Sequence, residues 1–210
     1  MENELDEIAL KHGTDKASNQ NNLTSIYYKY FNSLKNHKLN ILEIGVKHGA
    51  SLRTWRDFFP NAIVHGIDTK LVDIQDNERI ILHFGSQDDV KFLKSINQNF
   101  DIIIDDGSHL MSHQKISFET LFPLLNQNGL YIIEDLSTSY LQEYVNHPKT
   151  MISYLKDLID YLNYYVDSEF LTEFESDLVH NIYSINFYSS ICFIKKCLKR
   201  KNFNIYKKPI

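Results

Sequence analysis

The sequence predicts an α/β protein: five parallel strands extended by a C-terminal antiparallel hairpin, with helices on both faces of the sheet. Three observations carry this. Short apolar runs alternate with longer amphipathic stretches, the signature of βαβ units. The runs are mostly unbroken by polar residues, as strands buried on both faces should be. Near the end of the chain two strand-like runs are separated only by Ser189-Ser190, a connection short enough to imply antiparallel pairing.

Taken in order, residues 1–38 are expected to form an N-terminal helical cap. Leu39 to Ile44, Ala62 to Ile67, Arg79 to Phe84, Phe100 to Ile104 and Leu130 to Ile133 are short, apolar and rich in β-branched or aromatic residues, giving the five parallel strands. Between them Ser51 to Phe59, Gln87 to Ile96 and Ser112 to Leu125 have helical spacing, and Asn128-Gly129 supplies a turn before the fifth strand. Residues 141–180 form a helical insertion, in which MISYLKDLIDYLNYYV reads as a helix packing its apolar face, with a substrate lid or subunit contact as the sharper alternative. Asn181 to Tyr188 and Ile191 to Lys196 form the closing hairpin.

The bulk composition bounds the function. At 210 residues, 43% hydrophobic and 23% charged, a single domain over 1–210 is expected. A formal charge of −5 offers no general attraction to polyphosphate, so nucleic acid is not an expected partner. No stretch approaches the roughly 20 apolar residues that span a bilayer. The acidic start lacks the basic flank and apolar run of a secretory signal, so a cytoplasmic location is expected. Cys192 and Cys197 lie five apart in an apolar segment, match neither a disulfide framework nor a zinc pattern, and read as reduced packing residues. The lysine-rich stretch from Lys195 onward reads as a solvated end.

After the first strand, Glu43-Ile44-Gly45-Val46-Lys47-His48-Gly49-Ala50-Ser51 is a glycine-containing turn that feeds a helix. Gly45 and Gly49 permit a tight turn and close approach of a ligand, and the helix N-terminus offers free N–H groups. A dinucleotide fingerprint would carry glycine where Lys47 stands, which disfavours NAD. Asp68, 23 positions after Gly45 at the end of the second strand, is placed to bind ribose hydroxyls. Ligands of open α/β sheets bind beyond the carboxyl ends of the strands, so Gly45, Asp68, Gln87 and Asp106 should share one crevice.

The fourth strand ends in Asp105-Asp106-Gly107-Ser108-His109 and the fifth in Glu134-Asp135, crowding acids onto the same edge. Unit charges about 4 Å apart repel by about 4 kcal/mol at an effective dielectric of 20, so converging carboxylates call for a cation. All-oxygen ligands favour Mg²⁺, with Mn²⁺ as a substitute. His109, three residues beyond Asp106, is placed to act as general base; His113, one helical turn on, reads as structural.

HGTDK at 12–16, ILEIGVKHGASLRTWRDFFPNAIVHGID at 41–68, IIDDGSH at 103–109, SFETLFPLL at 117–125, YIIEDLSTSY at 131–140 and the terminal SINFYSSICFIKK together resemble the metal-dependent sugar O-methyltransferases of macrolide antibiotic pathways, of the mycinamicin and macrocin type. The resemblance implies a Rossmann-like class I methyltransferase sheet, S-adenosyl-L-methionine as cofactor, and Mg²⁺ on Asp106, Glu134 and Asp135 with His109 as base. It implies a cofactor site drawn from Thr14, Lys16, Glu43, Gly45, Gly49, Ser51, Asp68, Ser86, Gln87, Asp105 and Asp106, with Thr14 to Lys16 closing over the cofactor. Relatives are richer in glycine where this chain has Lys47-His48, and often read Gly-Asp-Gln where it has Gly85-Ser86-Gln87. The expected reaction is methyl transfer to a hydroxyl of a sugar or glycosylated acceptor bearing neighbouring hydroxyls, with a homo-oligomer left open. The competing readings are a NAD-type oxidoreductase, a related hydroxylase, and a cofactor-binding protein of the same fold without turnover.

Overall fold

The computed structural model describes residues 3–70, 74, 78–163, 178 and 180–197. Seven strands form one sheet: β1 (Asn40–Ile44), β2 (Ile63–Asp68), β3 (Ile80–Phe84), β4 (Phe100–Asp105), β5 (Leu125–Ile133), β6 (Ile182–Tyr188) and β7 (Ile191–Lys196). Their order is β3-β2-β1-β4-β5-β7-β6. β3, β2, β1, β4 and β5 run parallel, while β7 is antiparallel to both β5 and β6, as the two-residue Ser189-Ser190 connection requires. From β1 the chain winds first to β2 and β3 and then returns to β4 on the other side. The carboxyl ends of β1 and β4 therefore flank the crevice where such sheets bind ligands.

Among the described residues, helices on the two faces include α1 (Glu4–His12), α2 (Thr24–Phe31), α3 (Ala50–Phe58), α4 (Val90–Ser95), α5 (Met111–Leu121) and α6 (Met151–Asn163). Alternating strand residues feed opposite cores. Leu42, Ile103, Tyr131, Cys192 and Ile194 pack on one side with α4, α5 and α6. Ile41, Ile102, Ile132 and Phe193 pack on the other with α1, α2 and α3. No described helix is long and apolar enough to cross a membrane.

Several boundaries differ from expectation for identifiable reasons. Helix α4 starts at Val90 because the Asp89 side chain accepts from the N–H groups of Lys91 and Phe92 and caps it. Helix α5 stops at Leu121, and Pro123 tightens residues 122–124 into a 3₁₀ turn. Leu125 already pairs with Phe100 before the register shifts and pairing resumes at Leu130 opposite Ile102, so Asn128-Gly129 is an irregularity inside β5. In the expected insertion, α6 buries Met151, Tyr154, Leu155 and Leu158, the i, i+3, i+4, i+7 stripe of a core-packed helix. Residues 164–177 and 179 lie outside the described residues, as does the basic stretch from 198 onward.

Lys196 is not part of a solvated end. It is buried, and its Nζ donates to the carbonyls of Phe122 (3.2 Å), Pro123 (2.9 Å) and Leu125 (2.7 Å), tying β7 to the turn after α5. Cys192 is buried and free, with burial pushing its thiol well up; Cys197 is also free. The hairpin tip reaches the sheet's carboxyl edge: Leu136 N–H donates to the Ser190 carbonyl (2.9 Å), and Ser137 N–H donates to Ser190 Oγ (3.2 Å).

Candidate active site

A cavity of about 710 Å³ opens at the carboxyl ends of β1, β2 and β4. Its walls come from the turn after β1 (Gly45 to His48), the end of β2 (Asp68), residues 85–87 after β3, the loop from Asp106 to His109, and Gly13 to Asp15 from the N-terminal segment. Thr14, Gly45, Ser51, Asp68, Ser86, Gln87, Asp106, His109 and Asp135, all drawn from sequence, line it.

Strand ladders continue beyond the strands and bring the acids together. Gly45 N–H donates to Ile67, Asp106 N–H to Ile44 and Glu134 N–H to Asp105, at 2.9 to 3.0 Å. Gly45 sits at φ 91°, and a Cβ there would lie 2.1 Å from the Asp106 carbonyl oxygen, so glycine is required first by the neighbouring backbone. Gly49, at φ 72°, precedes α3; a Cβ there would meet Ile74, and the residue is not on the cavity wall. Asp68 Oδ2 accepts from the N–H groups of Val46 (2.9 Å) and Lys47 (3.1 Å), and Oδ1 from Lys70 (2.9 Å). Burial pushes its pKa up, but these backbone donors outweigh that and hold it below the usual carboxylate value. Asp68 thus stays anionic while shaping the turn. Ser86 Oγ donates to Asp88, and His113 bridges Ser108 Oγ (2.9 Å) and Asp88 (3.4 Å) along the same wall.

Four expected site residues are drawn away from the cavity into the protein. Asp105 faces the α5 side, fully buried, where Gln87 Nε2 (3.1 Å), Ser117 Oγ and Tyr131 OH (3.4 Å) donate to it. Alternation along β4 gives the reason: adjacent residues point to opposite faces, and only Asp106 turns toward the cavity. Gln87 remains on the wall but is also committed inward, its Oε1 accepting from Ser108 N–H at 2.7 Å.

Lys16, Glu43 and Glu134 form a second buried group on the α1–α3 side. Lys16 Nζ lies 2.5 Å from Asp106 Oδ2, 2.9 Å from Glu134 Oε1 and 3.7 Å from Glu43 Oε1. Tyr27 OH donates to Glu134 Oε1 (2.5 Å), and Trp55 Nε1 donates to Glu43 Oε2 (3.1 Å). Lys16 is therefore a counter-ion within the protein, and the conflict between converging carboxylates is met in part by a side chain. One ammonium cannot neutralise three acids. Burial, with Asp106 nearby, pushes Glu134 up to about 8; burial pushes Glu43 up to about 7; burial acts against the Lys16 ammonium, but its carboxylates hold its pKa well above ordinary. Tyr27 gave no sequence signal, because a tyrosine on an apolar helix face looks like any core residue. The Lys16 position was legible only as part of HGTDK.

On the cavity side, Asp106, His109 and Asp135 each present one ligand atom, all within 4.8 Å of one another. His109 Nε2 is 3.4 Å from Asp135 Oδ2, while Nδ1 is buried without a hydrogen-bond partner. Both residues hold left-handed backbone, φ 59° and 53°, a strain of the kind found where side chains must be aimed. Of the expected set of Asp106, Glu134 and Asp135, the first and last lie in this cluster beside His109, while Glu134 Oε1 contacts Lys16 and Tyr27.

No protein-family model matches the chain. It is 36% identical over 177 residues to the tetracenomycin-C rhamnosyl 3'-O-methyltransferase of Streptomyces olivaceus, covering 77% of this chain and 45% of that protein. It is 32% identical over 209 residues to the mycinamicin VI 2''-O-methyltransferase of Micromonospora griseorubida, covering 92% and 52%. Among solved structures, the MycE methyltransferase of the mycinamycin pathway, in complex with Mg, SAH and mycinamycin VI, superposes with a TM-score of 0.83 at 31% identity over 96% of this chain and 56% of that one. Its curated homologues are sugar O-methyltransferases, and this chain has the class I methyltransferase fold. The chain spans about half the length of the curated relatives it matches. The cavity described above opens at the ligand-binding edge of that methyltransferase sheet, where the β1 turn and Asp68 meet the β4 acids.

Proposed function

We propose that this chain is a methyltransferase domain that takes S-adenosylmethionine in the 710 Å³ cavity and, with a divalent cation, methylates a hydroxyl of a glycosylated small molecule. The observation that carries the reading is Asp106, Asp135 and His109 gathered on one wall of a cavity whose other wall is the glycine turn with Asp68. The donor set fits a divalent ion: the Asp106 and Asp135 carboxylates lie in mutual reach beside the His109 imidazole, and oxygen ligands favour Mg²⁺ or Mn²⁺. Asp106 and Asp135 would hold the ion, and Glu134 would support Asp106 through Lys16. Bound cofactor supplies a sulfonium methyl group, and the bound ion supplies charge that lowers the pKa of a neighbouring hydroxyl.

The chain's own residues do the rest. Asp68 offers anionic oxygens to ribose hydroxyls, and the turn after β1 supplies a backbone wall without bulky side chains at Gly45. His109 Nε2 takes the hydroxyl proton, since Nδ1 is shut off from solvent, and Asp135 faces the imidazolium that results. The glycosylated acceptor is supported by the homologues, and one methyltransferase domain over the described residues by the one continuous sheet.

The test is calorimetric titration with S-adenosylhomocysteine of the wild type and Asp68→Ala, with Mg²⁺ and then with EDTA. Micromolar binding that the variant loses is expected. No binding under any condition would overturn the reading.

A further inference from the structure

Asp106 stands between two cation positions. On its inner side the Lys16 ammonium lies 2.5 Å from Oδ2; on its outer side its carboxylate is within 4.8 Å of His109 and Asp135 atoms that face the cavity. Lys16 is 1% exposed, too deep to be a surface lysine that happened to find a partner. It is paired with acids from three separate elements: Glu43 from β1, Asp106 from beyond β4 and Glu134 from beyond β5. A fourth feature points at the same atom. Glu43 Oε1 is fully buried, makes no hydrogen bond, and faces the ammonium at 3.7 Å.

We propose that Lys16 is a positioning residue that acts as a fixed counter-ion: it holds Asp106 and Glu134 in place from behind and sets how tightly the cavity side takes a divalent cation. The inference rests on the metal reading of the Asp106 and Asp135 carboxylates beside His109. Its physical basis is charge. A unit positive charge in hydrogen-bond contact with one ligand carboxylate repels any cation on that carboxylate's other face, and burial leaves little water to screen it. The same charge prevents the three inner acids from repelling one another apart. The arrangement therefore exchanges some cation affinity for a carboxylate edge that keeps its geometry when no divalent ion is bound. It also predicts an unusual sign: deleting the lysine tightens metal binding, because the inner acids lose their neutralising partner and gain by recruiting a cation in its place.

The experiment is Mn²⁺ titration of the whole chain followed by electron paramagnetic resonance, without cofactor or acceptor, for wild type, Lys16→Arg and Lys16→Met. Lys16→Met is expected to bind Mn²⁺ about tenfold or more tightly, and Lys16→Arg, which keeps the charge, about as tightly as wild type. A folded Lys16→Met that binds equally or more weakly overturns the inference while leaving the metal reading intact. If neither wild type nor Lys16→Met binds Mn²⁺, the metal reading is overturned and the inference falls with it. Should Lys16→Met fail to fold for want of a counter-ion, the double variant Lys16→Met/Glu43→Gln removes one charge of each sign. It is expected to bind Mn²⁺ more tightly than Glu43→Gln alone, and affinity at or below that of the single variant overturns the proposal.

Discussion

Asp105 and Glu134 are joined by a backbone hydrogen bond at the same sheet edge, both are buried, and they are stabilised in opposite ways. Asp105 is surrounded by neutral donors from Gln87, Ser117 and Tyr131. Glu134 is held by an ammonium and a phenol. Neutral donors tie β4 to α5, and burial, not a charged partner, is the largest influence on this acid. A cationic partner links Glu134 to every other charge near Lys16, including Asp106 on the cavity wall. One edge thus carries a structural acid and an electrostatically coupled acid one strand apart.

The sharpest way to break this contrast is at the cavity face of the coupled region. Asp106→Ala should abolish methyl transfer while leaving S-adenosylhomocysteine binding in place, and His109→Ala should lower the rate by about 10²–10⁴-fold at unchanged cofactor affinity. Paired turnover and calorimetric measurements check both, and an active Asp106→Ala enzyme would separate the coupled acids from the chemistry. Gly45→Ala tests the frame that both regions share. Its added Cβ meets the Asp106 carbonyl at 2.1 Å in a left-handed backbone, so a loss of about 3 kcal/mol or more in urea unfolding is expected. Tyr27→Phe removes one donor from a buried carboxylate and should cost about 1–3 kcal/mol by the same measurement.

A pH-dependent effect concerns the neutral-held acid. Burial pushes Asp105 from 3.8 up to about 6, so the folded chain binds that proton more tightly than the unfolded one. Its stabilising contribution is complete below about pH 4 and is lost as pH rises through 6, a swing on the order of 3 kcal/mol. Asp105→Asn cannot titrate. Wild type should therefore lose stability relative to this variant between pH 4 and 7, and a pH-independent difference would mean that Asp105 is not the neutral-held acid described.

The strand pattern was legible because central parallel strands leave continuous apolar runs, and the Ser189-Ser190 gap allowed only a hairpin; β3 has such a run too, yet as the edge strand it leaves Ile81, Leu82 and Phe84 exposed. The cavity wall was legible too, because glycines, strand-end acids and topology all point to one crevice. What could not be read is which way a buried polar side chain turns. Asp105 and Asp106 are identical letters with opposite fates, separated by the strand's two-residue alternation and by whether α5 offers a donor such as Ser117. Lys16 was placed over the cofactor, yet the ammonium is drawn inward by acids that are 27, 90 and 118 positions away in sequence. Such long-range charge pairing has no local periodicity. The helix-end differences at Asp89 and Pro123 are of a different kind: capping and proline chemistry override the apolar pattern locally.

The contacts from Ser190 to Leu136 and Ser137 have a consequence for how the chain is made. The loop that presents Asp135 is clasped by residues synthesised more than fifty positions later. On a ribosome adding about 5–20 residues per second, that is a delay of several seconds during which β5 has no antiparallel neighbour and the Asp135 loop has no clasp. The acids of β1 and β4 can assemble early, but the last ligand-bearing turn closes only when the hairpin arrives. A nascent chain stalled before Ser190 should therefore hold most of the sheet and an unfinished cation site.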